Sequence, residues 1–521
     1  MTRRIQQIML VIILVGGCAS RESITRRSQL ADPLELGPIQ VLTKDTTLYE
    51  LTMYRLADSV LICSGDLKKG NRNEKFSGTL NLTDIVFIQA QHTGFFQSIG
   101  AGLMVGAFVV TAASSFDGSG LTVKPTEAFH FPAGAGGGGG SCPYVYSWDG
   151  NHFVFEAEAF GVALGKSQEY MSSSLLPSLK EDSLKLKVRI ANERPETHYI
   201  NYVTMDAYDC DLTATPYLDR QNIAWPVYKP EAPIAAVDHS GRNVLNDLKS
   251  KDGTYWESDL AQATVDSDLE DMIDLTFVNH SGKKEGTLVV DAINTRFINA
   301  IMNYLSGFLG DQYLPFMYAT ETDSELVRVV RTWMDESSLK AYVWNGQEWK
   351  VMGSILAEAN AVPFSRVVRF RTLEGNDTVR IRIKALTDVW KLDAFHVDWT
   401  TVNPLKAKPA RLTSAIGPDG RDAMPVLSLS DMNYVMLLPP QHVDLCFEAV
   451  QPAPGKRVMY ALNAQGYLYE WMTERSRSVS AMSLAIPAQM KIPYLRKILP
   501  DKNLFLPPIY AEWKEQKSKP W

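Results

Sequence analysis

Residues 144–155 read YVYSWDGNHFVF. Tyr144, Tyr146 and Trp148 alternate with other residues up to Asp149–Gly150, and Phe153 and Phe155 alternate beyond it. A period of two puts one set of side chains on one face of a strand. Asp-Gly between two such runs is a strong local signal for a hairpin. Two further stretches carry the same pattern. LKAYVWNGQEWKVMG (339–353) has Asn345–Gly346 between its runs, and VMYALNAQGYLYEWM (458–472) has Asn463 to Gly466. The three begin near residues 144, 341 and 459. Such unequal spacing argues against a propeller or a solenoid.

Working outward, LKLKVRIANE (184–193), YINYVTMDAYD (199–209) and GTLVV (286–290) read as further strands. Thr295 to Leu309 changes period. Phe297, Ile298, Ile301, Met302, Tyr304, Leu305, Phe308 and Leu309 recur at helical spacing and stop at Gly310. Between 325 and 400, ELVRVVRTWM, LKAYVWNGQEWKVMG, SRVVRFRTL, DTVRIRIKAL and DVWKLDAFHVDWT read as five strands of an antiparallel sandwich or jelly roll. That strand order, closed by Trp390-x-x-Asp393, resembles galactose-binding-type jelly rolls.

The expected fold is therefore mainly β. A small N-terminal barrel-like unit or four- to five-stranded sheet (37–92) precedes one hydrophobic helix (93–116). A Gly-rich linker (117–141) leads to antiparallel sandwich or jelly-roll-like domains with one or two helices. Their expected bounds are 142–320, with a helix near 295–309, then 321–400 and 401–475. Residues 476–521, rich in Pro, read as an extended tail.

The 521 residues are 45% hydrophobic and 21% charged, enough to bury real cores, which excludes a wholly disordered chain. The net charge is −7 and no Lys/Arg block offsets it, so nucleic acid is not an expected partner.

The first residues, MTRRIQQIMLVIILVGGC, have Arg3 and Arg4 ahead of an apolar run from Ile8 to Val15. That run is shorter than the roughly 20 residues a membrane span needs, and it suits a signal-peptide core. Val15-Gly16-Gly17-Cys18 resembles the lipobox of bacterial lipoproteins, with Val where Leu is commoner. The resemblance implies removal of residues 1–17 and acyl chains on Cys18; the polar residues that follow make 18–36 read as a tether. Ala19, not Asp, follows the cysteine. In that family this implies the outer membrane. The body resembles uncharacterised bacterial lipoproteins and no family of known activity.

Thr93 to Phe116 carries no charge and, as a helix, would be long enough to cross about 30 Å of hydrocarbon. Ser98, Gly102 and Gly106 recur every four residues, a face on which helices approach closely. The segment has three readings: membrane insertion, self-association of copies of the chain, or burial in a core. After Cys18, four cysteines remain, namely Cys63, Cys142, Cys210 and Cys446. They allow three full pairings, and buried free thiols are an equal alternative.

Little else nominates chemistry. The eight His form neither HExxH nor an i, i+4 pair, and no P-loop or G-x-S-x-G occurs. The acidic run Asp266 to Asp271 fails the EF-hand pattern and reads as a solvated loop. No catalytic residue, metal or cofactor is expected. Trp333, Trp344, Trp349 and Trp390 could form a sugar-stacking platform, with Asp393 as a polar partner, or fill a sandwich core. The expected function is a non-catalytic, lipid-anchored cell-envelope protein with a binding or assembly role. Its expected partners are the membrane through Cys18, a glycan or envelope protein, and a second copy through 93–116. A carbohydrate-binding surface lipoprotein and an envelope hydrolase are the alternatives.

Overall fold

The structure is a computed structural model that describes residues 20–23, 39–43, 47–57, 60–69, 72–81, 84–92, 143–194, 196–258, 268–358, 362–372, 377–470 and 486–516. Cys18, the segment 93–116 with Ser98, Gly102 and Gly106, the linker 117–141 and Cys142 lie outside the described residues. The fold is mainly β. The chain divides into two compact units. One is bounded by Met1–His130, Phe308–Ala319 and Val479–Pro493, the other by Phe131–Gly307, Thr320–Ser478 and Tyr494–Trp521.

The first unit carries an open antiparallel sheet rather than a barrel. Its strands are β1 (Ser20–Ser23), β2 (Ile39–Thr43), β3 (Leu48–Ala57), β4 (Val60–Lys69), β5 (Arg72–Asn81) and β6 (Ile85–His92), in the order β1-β6-β2-β3-β4-β5. The sixth strand, β1, comes from the stretch read as a tether, and pairs Ser20 with His92. Val41, Leu51, Leu61 and Ile85 form the buried side.

The second unit holds two sandwich-like bodies. In the first, one sheet runs β24 (Leu412–Ile416), β26 (His442–Glu448), β10 (Lys185–Ala191), β7 (Tyr144–Trp148), β8 (Phe153–Glu158). Its companion runs β23 (Ala407–Ala410), β11 (Glu196–Asp211), β27 (Lys456–Glu470), β9 (Tyr170–Leu175), with β25 (Val435–Leu437) also on β11. Leu186, Val188, Ile190, Val443, Leu445 and Phe447 are all at most 2% exposed, the alternate set of their strands that turns inward.

In the second body, one sheet runs β13 (Ala224–Val227), β12 (Thr215–Leu218), β20 (Phe364–Arg371), β17 (Glu285–Asn294), β22 (Trp390–Asp398), β15 (Trp256–Glu257). The other runs β14 (Ala235–Asp238), β16 (Glu270–Val278), β21 (Thr378–Leu386), β18 (Leu339–Trp344), β19 (Trp349–Ile355). The inward set here includes Leu275, Phe277, Ile381, Ile383, Val343 and Phe395. The Trp399 indole of one sheet's end donates to the Val278 carbonyl of the other at 3.0 Å.

Seven α-helices occur among the described residues: α1 (Leu245–Leu248), α2 (Phe297–Leu309), α3 (Tyr313–Thr322), α4 (Ser324–Glu336), α5 (Met424–Leu427), α6 (Ala488–Ile498) and α7 (Lys502–Gln516). The helical spacing of Thr295–Leu309 is realised as α2. Three expectations change. Residues 325–334 are helix α4, not a strand, because Asp323 caps it by accepting from the Glu325 and Leu326 amides at 3.0 and 3.2 Å. The turn expected within 458–472 is absent, and β27 runs straight through Asn463 and Gly466 along β11. Gly466 serves close packing there: a Cβ would lie 2.3 Å from the Tyr199 carbonyl oxygen and 2.7 Å from the Phe160 ring. Residues 488–516 of the expected extended tail are α6 and α7, with Leu495, Phe505, Leu506, Ile509, Tyr510 and Trp513 buried at helical spacing.

Candidate functional site

The four Trp of the expected platform separate into three environments. Trp333 sits on α4, its indole donating to the Leu499 carbonyl at 2.9 Å and its ring edge-on to Phe505. Trp390 is 1% exposed and donates to the Ser337 carbonyl at 2.9 Å. Trp390 is a core residue, and half-buried Trp333 is packed against Phe505 with its indole hydrogen spent on Leu499, so neither joins a platform. Trp344 and Trp349 do meet, across the β18–β19 hairpin, with ring centroids 5.4 Å apart and planes at 59°.

The turn between them is built locally. Asn345 accepts from the Gln347 and Glu348 amides at 2.9 and 2.8 Å, and Gly346 takes φ +96°. Pairing registers then set two rows across the outer face of the sheet. One is Thr276, Arg380, Trp344, Trp349; the other is Asp274, Arg382, Tyr342, Val351. The arginines were missed as site residues, although DTVRIRIKAL shows the signal. Val379, Ile381 and Ile383 point into the core, which sends Arg380, Arg382 and Lys384 outward.

The electrostatics of this face are uneven. Arg382 forms a fork with Asp274, Nε to Oδ1 at 2.7 Å and Nη2 to Oδ2 at 2.8 Å, and that carboxylate raises the arginine's pKa. Its guanidinium lies 4.3 Å from the Trp349 centroid. Arg380 stands farther from Asp274, at 3.9 Å, with half its side chain exposed. It lies 5.6 Å from the Trp344 centroid and 5.4 Å from that of Trp349, within cation–π range.

Asp393 is 4% exposed and accepts the Asp252 and Gly253 amides at 3.1 and 3.2 Å. Neighbouring Asp291 pairs with Lys251 at 2.8 Å. Together they staple the loop around 249–254 onto the sheet, away from the Trp pair. The acidic run also differs from a solvated loop at its end. Asp271 is 5% exposed, accepts from Ser258, and burial pushes it up to about 6. Cys63, Cys210 and Cys446 are free thiols, and burial raises the first two to about 11.

A cavity of about 30 Å³ lies where Ser173, Arg220, Asn222, Glu358 and Arg366 converge. It has room for a water or two and none for a drug-sized ligand. Arg366 donates to Glu358 at 2.6 Å and to the Ser173 carbonyl at 2.7 Å, so its charge is spent joining the two sandwiches. Among the described residues no group of three His, Cys, Asp or Glu side chains could hold a metal. No described helix is long and apolar enough to cross a membrane.

No family model and no curated protein matches this chain. Among solved structures, it is similar to a chain from the atomic structure of Sulfolobus Turreted Icosahedral Virus. That alignment covers 64% of this chain and 100% of the other at 8% identity, with a TM-score of 0.13. So low a score carries no argument.

Proposed function

We propose that the chain is a non-catalytic, lipid-anchored binding protein of the bacterial cell envelope. The observation that carries the reading is Val15-Gly16-Gly17-Cys18, placed directly after a basic start and a short apolar core. Acyl chains on Cys18 would anchor the body stably where a single chain would not. Ala19 favours the outer membrane. The test compares the wild type with Cys18→Ser by alkaline carbonate extraction of membranes and by labelling with an alkyne-bearing fatty acid. Wild type should label and stay with the membrane; Cys18→Ser should do neither. Absence of label on the wild type would overturn lipid anchoring, and retention of the unlabelled, signal-cleaved variant in the membrane would mean that the acyl chains are not the only anchor and point to residues 93–116.

A second reading, carbohydrate binding at the surface, is favoured by the Trp344–Trp349 pair. An indole face packs on the apolar face of a sugar ring and removes both from water. Val351, 71% exposed beside Trp349 in the sheet, extends that apolar strip.

A further inference from the structure

The geometry points to an anionic polysaccharide as the ligand of the Trp344–Trp349 face, gripped by Arg380. This deepens the carbohydrate reading and stands or falls separately from the lipid anchor.

Charge decides the class. Both oxygens of Asp274 are taken by Arg382, at 2.7 and 2.8 Å. Arg380, one row along, is left with an ion pair of 3.9 Å and an exposed guanidinium. A guanidinium is planar and always charged, and its fork matches a carboxylate or sulfate in two parallel hydrogen bonds. Among the described residues that anion is not supplied: Arg380, Arg382, Lys384, Lys340 and Lys502 pair with Asp274, Glu270 and Glu336 around this face. The face is thus positive on a chain whose net charge is −7.

Geometry decides the polymer. The row from Thr276 to Trp349 crosses four strands, about 14 Å at about 4.8 Å per strand. It ends at β19, the edge of the sheet. An extended chain fits this better than one ring. Alternate contacts would be an acid group on Arg380 and ring faces on Trp344 and Trp349.

The experiment is titration calorimetry of the full chain with polygalacturonate, a uronic acid polymer, and with its methyl ester, which keeps the rings and loses the charge. Wild type should bind the acid at least tenfold more tightly than the ester, and salt should weaken that binding. Arg380→Gln should lose at least tenfold for the acid, and Arg380→Lys less, since it keeps the charge without the fork. Trp349→Ala, at the open edge, should weaken both polymers. Lys350→Gln is the control, because that lysine is paired with Glu348 at 2.6 Å and lies opposite inward-facing Val343. It should change nothing. Equal binding of acid and ester, unchanged binding by Arg380→Gln with melting temperature preserved, an equal loss in Lys350→Gln, or no binding by wild type would each overturn the proposal. None of these outcomes bears on Cys18, whose test is the membrane extraction.

Discussion

Two hairpins of this chain are built alike and finish differently. In each, a four-residue turn has its first side chain accepting two amides: Asp149 from Asn151 and His152, Asn345 from Gln347 and Glu348. Each turn is flanked by an aromatic pair 5.4 Å apart, Trp148 with Phe153 and Trp344 with Trp349. In each, cations from a neighbouring strand lie over the rings. At the first face, Lys187 pairs with Asp182 at 2.6 Å and Arg189 forks onto Asp444 at 2.7 and 3.0 Å. Among the described residues, each of the two cations over these rings has its own carboxylate. At the second, one carboxylate serves two arginines. The same local design therefore yields a closed surface or an open one, according to one missing acid.

The largest expected effect separates buried from displayed Trp within the second sandwich. Trp390→Ala should cost about 3–5 kcal/mol of stability, because it empties a fully enclosed site. Trp349→Ala should cost about 1 kcal/mol or less. Urea unfolding followed by circular dichroism measures both, and comparable losses would mean that Trp349 is a core residue too.

Next comes a pH response that belongs to the second sandwich. Asp271 is raised by burial from 3.8 to about 6, so the folded state holds its proton more tightly than the unfolded chain does. Its contribution is fully present below about pH 4 and is lost as pH rises through 6. Two units correspond to about 2–3 kcal/mol. Asp271→Asn should flatten this slope between pH 4 and 7 in thermal melts. An unchanged slope would place the titration elsewhere.

Smaller effects test the missing acid itself. Asp444→Asn should free Arg189 and give the first face a weak affinity for polygalacturonate, a few-fold above background by calorimetry. Asp274→Asn should free Arg382 and tighten the second face about two- to five-fold. If neither changes binding, the count of carboxylates is not what distinguishes the faces.

Much of the fold was legible locally. Alternation, turn residues and the change of period before Gly310 identified the first two hairpins, most strands and α2. Two errors share a cause. ELVRVVRTWM has enough β-branched residues to pass as a strand, and only the Asp323 cap with the packing of Leu326 and Val329 makes it a helix. Asn463 to Gly466 looks like a turn until the Phe160 ring is found against Gly466. In the first case a cap just outside the stretch and the burial of its apolar face outweigh a weak local preference, and in the second a partner about 300 residues away does.

The sequence alone carried the β class and the two Trp hairpins, because a period of two and a turn motif are written in consecutive residues. It could not determine which Trp are buried, that Asp271 is desolvated, or that Arg380 shares Asp274 with Arg382. Those depend on pairing registers between strands more than 100 residues apart, such as Asp274 with Arg382. Burial and charge balance are sums over neighbours in space, and only the tertiary structure says who the neighbours are.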